Sequence, residues 1–354
     1  MKKSVLVLNT AASEGGALTI LENFAEKVKK FGLDIEWYFI LSDNYITETE
    51  NVHVIVIKDV KKKINRLSFD FYKCAKITKS INPDIIFTMQ NITIRGTDTP
   101  QILYLHQSLP FQKVKKFSFF NKKERKLAII QYVLGNIIVN GLDRANTIIV
   151  QTEWMKKAVL EKKSKANIKV IPPDLELPTR TNIHTLKTNS FFYPTSDVLY
   201  KNIELIEKAC QILNFKKKPL RYSVEITIDR NTGISGIEYI DKISKDEVFN
   251  KLKEKVLIFP SLIETYGLPL AEARATGTIV LAGDTPFARE ILNGYENAFF
   301  FNVNDPNELA NLMKLCIEEK ITLKESTDFK RDESGWEKVI QLIQDTALLA
   351  KKLK

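Results

Sequence analysis

The feature that most constrains the fold is an alternation of short apolar runs and amphipathic segments along the whole chain. Parallel strands buried on both faces form continuous apolar runs and need helical crossovers between them, so the alternation predicts an α/β protein with parallel sheets. Strands are predicted at residues 5–9, 35–41, 52–57, 85–89, 102–106, 147–151 and 169–171, then at 191–193, 222–228, 237–240, 256–259, 279–282 and 298–301. Helices are predicted at 17–31, 202–213, 246–252, 269–276, 286–292, 306–318 and 336–353.

The alternation lapses once, just after Pro172. Residues 172–189 contain three prolines, several threonines and no apolar period, which is typical of a linker. A chain of 354 residues also exceeds the usual size of one domain. We therefore predict an N-terminal domain over residues 1–172, a linker over 173–189 and a C-terminal domain over 190–330. A final helical segment, 331–354, is expected to pack back on the N-terminal domain.

The positive charge is concentrated in the first half of the chain. The net charge is +10, and residues 1–170 alone carry +12. One basic cluster lies within residues 58–79, and a second within 113–126 is interleaved with three phenylalanines. The second cluster is interpreted as a solvated loop, as a peripheral contact with an anionic membrane or, least favoured because no nucleic-acid motif accompanies it, as a nucleic-acid surface. Its candidate membrane or acceptor contacts are Lys113, Lys115, Lys116, Lys122 and Lys123.

Cysteine usage and hydropathy indicate a cytoplasmic protein. Cys74, Cys210 and Cys316 are far apart, so they predict neither a disulfide framework nor a zinc site. The longest apolar stretch, 127–142, is interrupted by polar residues and is shorter than the roughly 20 residues of a membrane-spanning helix. The apolar run at the N-terminus is too short for a signal peptide.

The densest chemical signal is the segment 259–273, which reads FPSLIETYGLPLAEA. It predicts the end of a strand, a loop that contains Glu264, and a helix whose first turn contains Pro269 and whose interior contains Glu272. Gly267 permits a close backbone approach, and the free N–H groups at the start of the helix favour an anion or a polar ligand. Two carboxylates at this spacing can accept hydrogen bonds from the hydroxyls of one ligand.

This segment resembles the signature of the retaining group 1 glycosyltransferases, which have the GT-B fold and two glutamates separated by seven residues. The segment 298–309, with Asn304, Asp305 and Pro306, is similar to the sequence that follows the signature in that family. The resemblance implies two Rossmann-like domains facing a cleft and transfer of a sugar, a hexose in our interpretation, from a nucleotide-sugar. It also implies that Glu264 contacts the donor sugar as a catalytic residue and that Glu272 binds the ribose hydroxyls. Backbone groups of Thr265, Tyr266, Gly267 and Leu268 would position sugar and phosphate.

A basic residue follows the first predicted strand of the second domain. Lys201 precedes a helix and could reach a diphosphate as a point charge. By itself it would be an ordinary surface lysine, but the resembled family places a phosphate-binding lysine at the corresponding spot. The glycine and arginine that usually precede that lysine are missing from residues 191–198. A second cation is therefore an open question, with Arg274 as a weak candidate.

Two further elements lie in the first half. Gly15 and Gly16 join the first strand to the first helix, where they form either a tight turn or a loop whose N–H groups bind phosphate or acceptor; the loop resembles the family's glycine loop, which lies across the cleft from the donor phosphates. They do not form a GxGxxG pattern, which disfavours a dinucleotide dehydrogenase. His106 ends a predicted strand and is either a structural histidine or a catalytic donor to a sugar hydroxyl.

These observations predict a glycosyltransferase that extends a lipid-linked saccharide acceptor in the synthesis of a cell-surface polysaccharide such as lipopolysaccharide. It would need no metal or other cofactor, because Lys201 and helix N-termini would stabilise the leaving diphosphate. It is expected on the inner face of the cell membrane and without a nucleic-acid partner. The alternatives are a nucleotide-sugar epimerase of the same architecture and a non-catalytic basic protein that binds membrane or nucleic acid.

Overall fold

The computed structural model describes residues 2–13, 15–61, 69, 73–163, 165–174, 186–215, 220–324 and 334–352. The segment 175–185, which is most of the predicted linker, lies outside the described residues, as do 331–333 and 353–354 of the predicted C-terminal segment. The described strands are β1 (Lys3–Asn9), β2 (Ile35–Leu41), β3 (Val52–Val56), β4 (Ile85–Thr88), β5 (Gln101–Tyr104), β6 (Thr147–Val150), β7 (Ile168–Val170), β8 (Lys187–Tyr193), β9 (Ser223–Ile226), β10 (Ile237–Tyr239), β11 (Lys255–Phe259), β12 (Val280–Gly283) and β13 (Ala298–Phe301).

Helices lie between most of these strands. The described helices are α1 (Gly15–Phe31), α2 (Cys74–Ile81), α3 (Arg125–Ala128), α4 (Gly135–Gly141), α5 (Glu153–Lys162), α6 (Ile203–Asn214), α7 (Lys245–Glu254), α8 (Leu268–Thr276), α9 (Pro286–Ile291), α10 (Pro306–Ile317) and α11 (Gly335–Lys352). A π-helical segment, Ile129–Leu134, joins α3 to α4. Short 3-10 turns lie at Lys58–Lys61, Leu142–Arg144 and Leu199–Lys201.

The strands form two separate parallel sheets. The first has the order β3-β2-β1-β4-β5-β6-β7 and the second the order β10-β9-β8-β11-β12-β13. In each sheet the strand order reverses once, between β1 and β4 and between β8 and β11, with Leu6 opposite Ile86 and Leu257 opposite Phe192 at these two places. Loops that leave neighbouring strands at such a reversal diverge, and parallel sheets bind ligands in the crevice that results. The α/β class with two parallel sheets is confirmed.

The chain divides into two compact units. The first comprises Met1–Phe111, Lys126–Asp174 and Asp332–Lys354, and the second comprises Gln112–Arg125 and Leu175–Arg331. Residues 112–125 therefore group with the second unit, although their neighbours in sequence on both sides belong to the first. The basic cluster that the sequence analysis assigned to the first half lies mainly in this segment.

Helix α11 is part of the core of the first unit. Trp336 is 4% exposed, and its ring lies 5.1 Å from that of Phe24 and 5.2 Å from that of Tyr104. Oδ1 of Asp174 accepts a hydrogen bond from the N–H of Trp336 at 3.0 Å, and Lys27 pairs with the same carboxylate at 3.6 Å. An acidic side chain is favourable here because the first N–H groups of a helix have no partner within the helix.

No described helix combines the length and the apolarity that crossing a bilayer requires.

Candidate active site

The candidate site of the second unit lies where the strand order of its sheet reverses. The 3-10 turn Leu199–Lys201 follows β8, and a loop of residues 260–267 follows β11. The two segments contact each other through the N–H of Leu262, which donates to the carbonyl of Tyr200 at 2.8 Å. Because β8 and β11 are adjacent and parallel, their carboxyl ends meet at one edge and bring Lys201 close to Glu264.

Lys201 and Glu264 form an ion pair at this edge. Nζ of Lys201 donates to Oε1 of Glu264 at 2.6 Å, and the two side chains are only 19% and 17% exposed. Oγ of Ser261 donates to the same carboxylate oxygen at 2.7 Å. The hydroxyl of Tyr193 donates to the carbonyl of Lys201 at 2.9 Å and so holds the backbone from which the lysine extends. The ion pair and these hydrogen bonds therefore fix the positions of the Lys201 and Glu264 side chains.

Asn202 connects three strand ends next to this ion pair. Its φ of 57° places it in the left-handed region, which asparagine tolerates better than most residues. Its side-chain amide donates to the carbonyl of Val303 at 2.9 Å and to that of Pro260 at 3.3 Å. These bonds link the start of α6 to the segments that follow β11 and β13, so they fix the position of Lys201 relative to the loop that contains Glu264.

The start of α8 is shaped by Gly267. Its φ is 90°, and a Cβ at this position would lie 3.2 Å from Cδ1 of Leu270. A residue with a side chain would be strained there, so glycine is required by the turn. Leu268, which is 44% exposed, and Pro269 follow as the first helical residues. The preceding Thr265 and Tyr266 are half-buried, and burial raises the pKa of the Tyr266 hydroxyl.

Glu272 lies one turn into α8 in a different environment from that of Glu264. Burial raises the pKa of its carboxyl group, and the charge of Lys245 offsets this rise only in part. Its carboxylate has no hydrogen-bonding partner in the part of the chain that the structure describes. A half-buried carboxylate without donors loses part of its hydration, which a ligand with hydroxyl groups can replace.

The nearby arginines interact with protein groups. Arg274, the weak candidate for a second phosphate-binding cation, donates from Nη1 to the carbonyl of Ile291 at 2.6 Å and lies 5.9 Å from the ring centroid of Tyr295. Arg230, which follows β9, pairs with Glu207 at 2.9 Å and with Asp197 at 3.0 Å. The structure thus places the cation of Lys201 in contact with Glu264, the first glutamate of the signature.

The first sheet has a corresponding polar edge at its own reversal. Gly15 and Gly16 are the first residues of α1, which follows β1. Next to β1, the backbone N–H and the hydroxyl of Thr10 both donate to Oε1 of Gln90, which follows β4, at 3.0 Å. The loops after β1 and β4 are therefore tied to each other at the carboxyl edge.

His106 lies at the same edge, two residues after β5. Its backbone N–H donates to Oδ1 of Asn91 at 2.8 Å, and its Nε2 lies 3.2 Å from Nδ2 of that residue. Its other ring nitrogen, Nδ1, is buried and has no hydrogen-bond partner among the described residues. Burial lowers the pKa of the imidazole to about 4, so the ring is neutral at pH 7.

Comparisons with known proteins agree with this geometry. Residues 230–333, which include both glutamates, match the family model for glycosyl transferases group 1. This match, over less than a third of the chain, indicates a glycosyltransferase. The corresponding prediction from the sequence is confirmed, and with it the coarse function, which is transfer of a sugar from a nucleotide-sugar. No curated protein matches the sequence.

Solved structures confirm the GT-B fold of this glycosyltransferase. Sucrose-phosphate synthase from Thermosynechococcus elongatus is similar over 99% of this chain and 98% of its own, with a TM-score of 0.64 and 14% identity. The lipopolysaccharide outer core galactosyltransferase WaaB is similar over 99% of both chains, with a TM-score of 0.64 and 13% identity. HepE from Anabaena, in complex with UDP and glucose, is similar over 99% of this chain and 98% of its own, with a TM-score of 0.59 and 14% identity.

The basic segment of the glycosyltransferase, residues 112–125, is a folded loop. Glu124 accepts a hydrogen bond from the N–H of Ser118 at 2.8 Å and pairs with Lys115 at 3.2 Å, while Phe117 is buried. Phe120 is 95% exposed. The other exposed members of the loop are Lys113, Val114, Lys116, Phe119, Asn121, Lys122, Lys123 and Arg125. The buried phenylalanine and the paired glutamate thus hold a surface on which cations alternate with aromatic rings.

This loop lies near the start of α6, which follows Lys201. The pKa of Glu204 is lowered chiefly by a hydrogen bond from Lys208, and the charges of Lys123 and Lys115 contribute to the decrease. The described residues contain no cluster of three or more histidine, cysteine, aspartate or glutamate side chains suited to holding a metal ion.

Sequence reasoning missed two residues of the candidate site. Ser261 was quoted within the signature without a role, although its hydroxyl shares Glu264 with Lys201. Asn91 was not singled out, although it holds both the backbone and the ring of His106. The available signal was weak in both cases: each is a small polar residue that follows a buried strand.

Proposed function

We propose that this enzyme transfers a sugar with retention of anomeric configuration from a nucleotide-sugar to a lipid-linked saccharide acceptor at an anionic membrane surface, in the assembly of a cell-surface polysaccharide. The observation that carries the donor half of the proposal is the Lys201–Glu264 ion pair at the strand-order reversal of the second sheet. It combines a cation for a diphosphate with a carboxylate for a sugar at the place where parallel sheets bind ligands.

Lys201 stabilises the charge that develops on the leaving diphosphate. Its ammonium is largely buried and already oriented, so it needs little reorganisation when the bond to the sugar breaks. The N-terminal end of α8, which follows Thr265, Tyr266 and Gly267 and begins at Leu268, supplies further positive potential through the helix dipole. The transfer proceeds without a metal ion in this proposal, and turnover that persists in the presence of a chelator would support it.

Glu264 binds a sugar hydroxyl and does not attack the anomeric carbon. One of its oxygens, Oε1, already accepts from Lys201 and Ser261, which leaves Oε2 to accept from the donor sugar. A carboxylate stabilised by two donors is a weaker nucleophile than one without them. Retention then follows from attack on the same face as the departing phosphate, a path on which no covalent sugar–enzyme intermediate forms.

Glu272 accepts hydrogen bonds from the ribose hydroxyls. Its half-buried carboxylate lacks donors among the described residues, and a pair of hydroxyl groups supplies them. In the first unit, Gly15 and Gly16 present the N-terminal N–H groups of α1 to phosphate, and His106 donates from Nδ1 to a hydroxyl of the substrate. His106 is in this proposal a catalytic residue together with Glu264.

The basic loop carries the membrane half of the proposal. Cations near anionic headgroups contribute about 1 kcal/mol each, and exposed aromatic rings insert at the interface. The loop offers Lys113, Lys116, Lys122 and Lys123 around the fully exposed Phe120, and Lys115 is partly neutralised by Glu124. A lipid-linked acceptor is confined to the membrane, so an enzyme that binds there meets it at high local concentration.

Nucleotide release from a panel of nucleotide-sugars tests the donor half. We expect Glu264→Ala and Glu272→Ala each to slow release by at least about 100-fold, as removal of a transition-state hydrogen bond does. Glu254→Ala is the matched control, because Glu254 is exposed and precedes β11 at the opposite end of the strand that leads to Glu264. Unchanged turnover in both signature variants would refute the assignment, and an inverted anomeric configuration in the product would refute retention.

Sedimentation with vesicles tests the membrane half. The double variant Lys122→Glu/Lys123→Glu should weaken binding to vesicles of anionic lipid by about 30-fold or more, which corresponds to about 1 kcal/mol for each cation lost. Lys162→Glu/Lys165→Glu makes the same change in charge at exposed positions in and after α5 and should have little effect. Equal losses in the two double variants would show that net charge, and not this loop, governs binding.

A further inference from the structure

We infer that Asn91 is a positioning residue that holds His106 as a neutral imidazole with its proton on Nδ1. The inference deepens the proposed function, since it rests on the donor role of His106 given above. It concerns which of two nitrogens carries the proton, and this decides whether the nitrogen without a protein partner can donate or only accept.

The argument begins with the orientation of the asparagine amide. The backbone N–H of His106 can only donate, and it lies 2.8 Å from one of the two polar atoms of the Asn91 side chain. That atom must therefore be the carbonyl oxygen Oδ1, because the amide nitrogen would place two donors against each other. The orientation of the amide is thus fixed by the backbone N–H of His106, which can donate a hydrogen bond but cannot accept one.

The amide orientation then decides the tautomer of the ring. With Oδ1 on the backbone, Nδ2 is the atom that lies 3.2 Å from Nε2 of His106. An amide NH₂ group donates and does not accept, so Nε2 must be the unprotonated nitrogen. A neutral ring then has its single proton on Nδ1, and the cation is disfavoured because it would direct an N–H at the NH₂ group.

The backbone around Asn91 makes this double contact possible. Asn91 follows β4 and His106 follows β5, and these strands are adjacent, with Thr88 opposite Leu103. The φ of Asn91 is 66°, a left-handed conformation that asparagine, aspartate and glycine adopt more easily than other residues. The contact is therefore built from the register of the sheet and from a backbone conformation that suits this residue type.

The proton so placed lies on a ring nitrogen that no described residue contacts by a hydrogen bond. Nδ1 is buried and has no partner among the described residues. The low pKa of the imidazole, about 4, keeps the ring neutral across the physiological range. A buried N–H without an acceptor is unfavourable until a ligand oxygen pairs with it, so the arrangement suits a hydroxyl group of the substrate.

Nuclear magnetic resonance of the ¹⁵N-histidine-labelled enzyme tests the tautomer directly. The chain has three histidines, and the signals of His106 are assigned by their loss in His106→Gln. Long-range ¹H–¹⁵N correlations at pH 8 should show Nδ1 protonated and Nε2 unprotonated. Observation of the opposite tautomer, or of a rapidly exchanging mixture, would overturn the inference.

Asn91→Asp changes the contact with Nε2 of His106 and keeps the hydrogen bond with the backbone N–H of His106. The carboxylate still accepts from the backbone N–H of His106, but it now faces Nε2 with an acceptor, so the proton should move to Nε2. Asn91→Gly, which keeps the left-handed backbone and removes both bonds, should give a mixture of tautomers. If Asn91→Asp leaves the proton on Nδ1, Asn91 does not determine the tautomer.

The pH dependence of turnover separates positioning from a merely structural role. At pH 8 we expect Asn91→Asp to release nucleotide at least about 10-fold more slowly than the parent. The carboxylate also raises the pKa of His106, and protonation restores an N–H at Nδ1, so the rate of this variant should recover as the pH falls. A tautomer that changes without any effect on the rate would overturn the role of Asn91 in the reaction. Failure of the parent enzyme to use any donor would refute the proposed function and would leave the tautomer result intact.

Discussion

Removal of the negative charge of Glu264 should strengthen the binding of a nucleoside diphosphate. In the unliganded enzyme Lys201 is engaged by Glu264 at 2.6 Å, and a diphosphate must share or displace this partner to reach the ammonium. Glu264→Gln keeps the shape of the side chain and removes its charge, so it makes Lys201 available. The same substitution should impair sugar transfer, because the amide is a poorer acceptor for the sugar hydroxyl.

The expected magnitude follows from the geometry of the pair. Two unit charges 2.6 Å apart attract by about 6 kcal/mol at an effective dielectric constant of about 20, which is an upper value because desolvation of both groups opposes it. Hydrogen bonds to charged groups contribute about 1.5–3 kcal/mol net. If half of this hydrogen-bond contribution becomes available to the diphosphate when the competing carboxylate is neutralised, the diphosphate binds more tightly by about 1–1.5 kcal/mol. This corresponds to a roughly tenfold lower Kd. Lys201→Met should raise Kd by about tenfold or more.

Isothermal titration with UDP, or with whichever nucleoside diphosphate in a panel stabilises the parent enzyme, measures both effects. Ser261→Ala is the matched control, since Ser261 donates to the same carboxylate oxygen at 2.7 Å but carries no charge. It should change Kd by less than about threefold. A thermal unfolding curve for each variant confirms that it is folded before titration. If Glu264→Gln weakens the binding of the diphosphate as much as Lys201→Met does, the competition between carboxylate and phosphate for Lys201 does not exist.

Other predictions concern the acidic partner, the helix start and the C-terminal helix. Because burial raises the pKa of Glu272 above its usual value, the native state binds a proton more tightly than the unfolded chain, and the free energy of unfolding should fall as the pH rises through that raised pKa. Chemical denaturation at a series of pH values should show that Glu272→Gln abolishes this fall. Gly267→Ala should lower the free energy of unfolding by about 1–2 kcal/mol, because the φ of Gly267 is 90°. Gly294→Ala is its control in a nucleotide titration. The φ of Gly294 is 71° and the space around its Cβ position is open, so this substitution strains the backbone without a steric clash. Trp336→Ala should cost about 3–5 kcal/mol in the same denaturation assay because its ring packs 5.1 Å from that of Phe24, and a wild-type midpoint would contradict the place of α11 in the core.

The strands could be predicted from the sequence because many of them are buried within the two sheets. Strands at the centre of a parallel sheet are buried on both faces, so β1, β4 and β11 appear as uninterrupted apolar runs bounded by polar residues. The predicted limits differ from the observed ones by a residue or two at most ends. The largest difference is β8, which begins at Lys187, four residues before the prediction, because its first residues are polar.

Several helices could not be predicted for a related reason. Helices α2 and α5 were missed, since both are short and rich in lysine, and their buried faces consist of a few residues such as Met155, Ala158 and Val159. The stretch from α3 to α4 was noted only as an apolar run. Its π-helical segment, Ile129–Leu134, breaks the period of 3.6 residues on which the recognition of a helix depends.

The site could be predicted as a set of residues but not as a set of contacts. The signature located Glu264 and Glu272, and the resemblance located Lys201, yet Lys201 and Glu264 are 63 positions apart in the sequence and the strand order brings them together. The partner of His106 depends in the same way on the register of β4 with β5. The sequence also suggested Arg274 as a weak candidate for phosphate, but it could not predict that Nη1 of its guanidinium donates to the carbonyl of Ile291.

The two glutamates of the signature differ in a way that explains why a site of this kind needs both. Glu264 accepts hydrogen bonds from Lys201 and Ser261, so protein groups already satisfy one of its oxygens, and a diphosphate competes with it for Lys201. Glu272 has no such donors among the described residues and is half-buried, and the charge of Lys245 lowers its raised pKa only in part. Its ionised form is therefore stabilised most by a ligand that brings hydroxyl donors and no negative charge of its own, which describes a ribose and not a phosphate. Because the partners of each carboxylate are set by the protein, electrostatics favours the orientation of the nucleotide-sugar that we propose, with its charged bridge at Lys201 and its neutral pentose at Glu272.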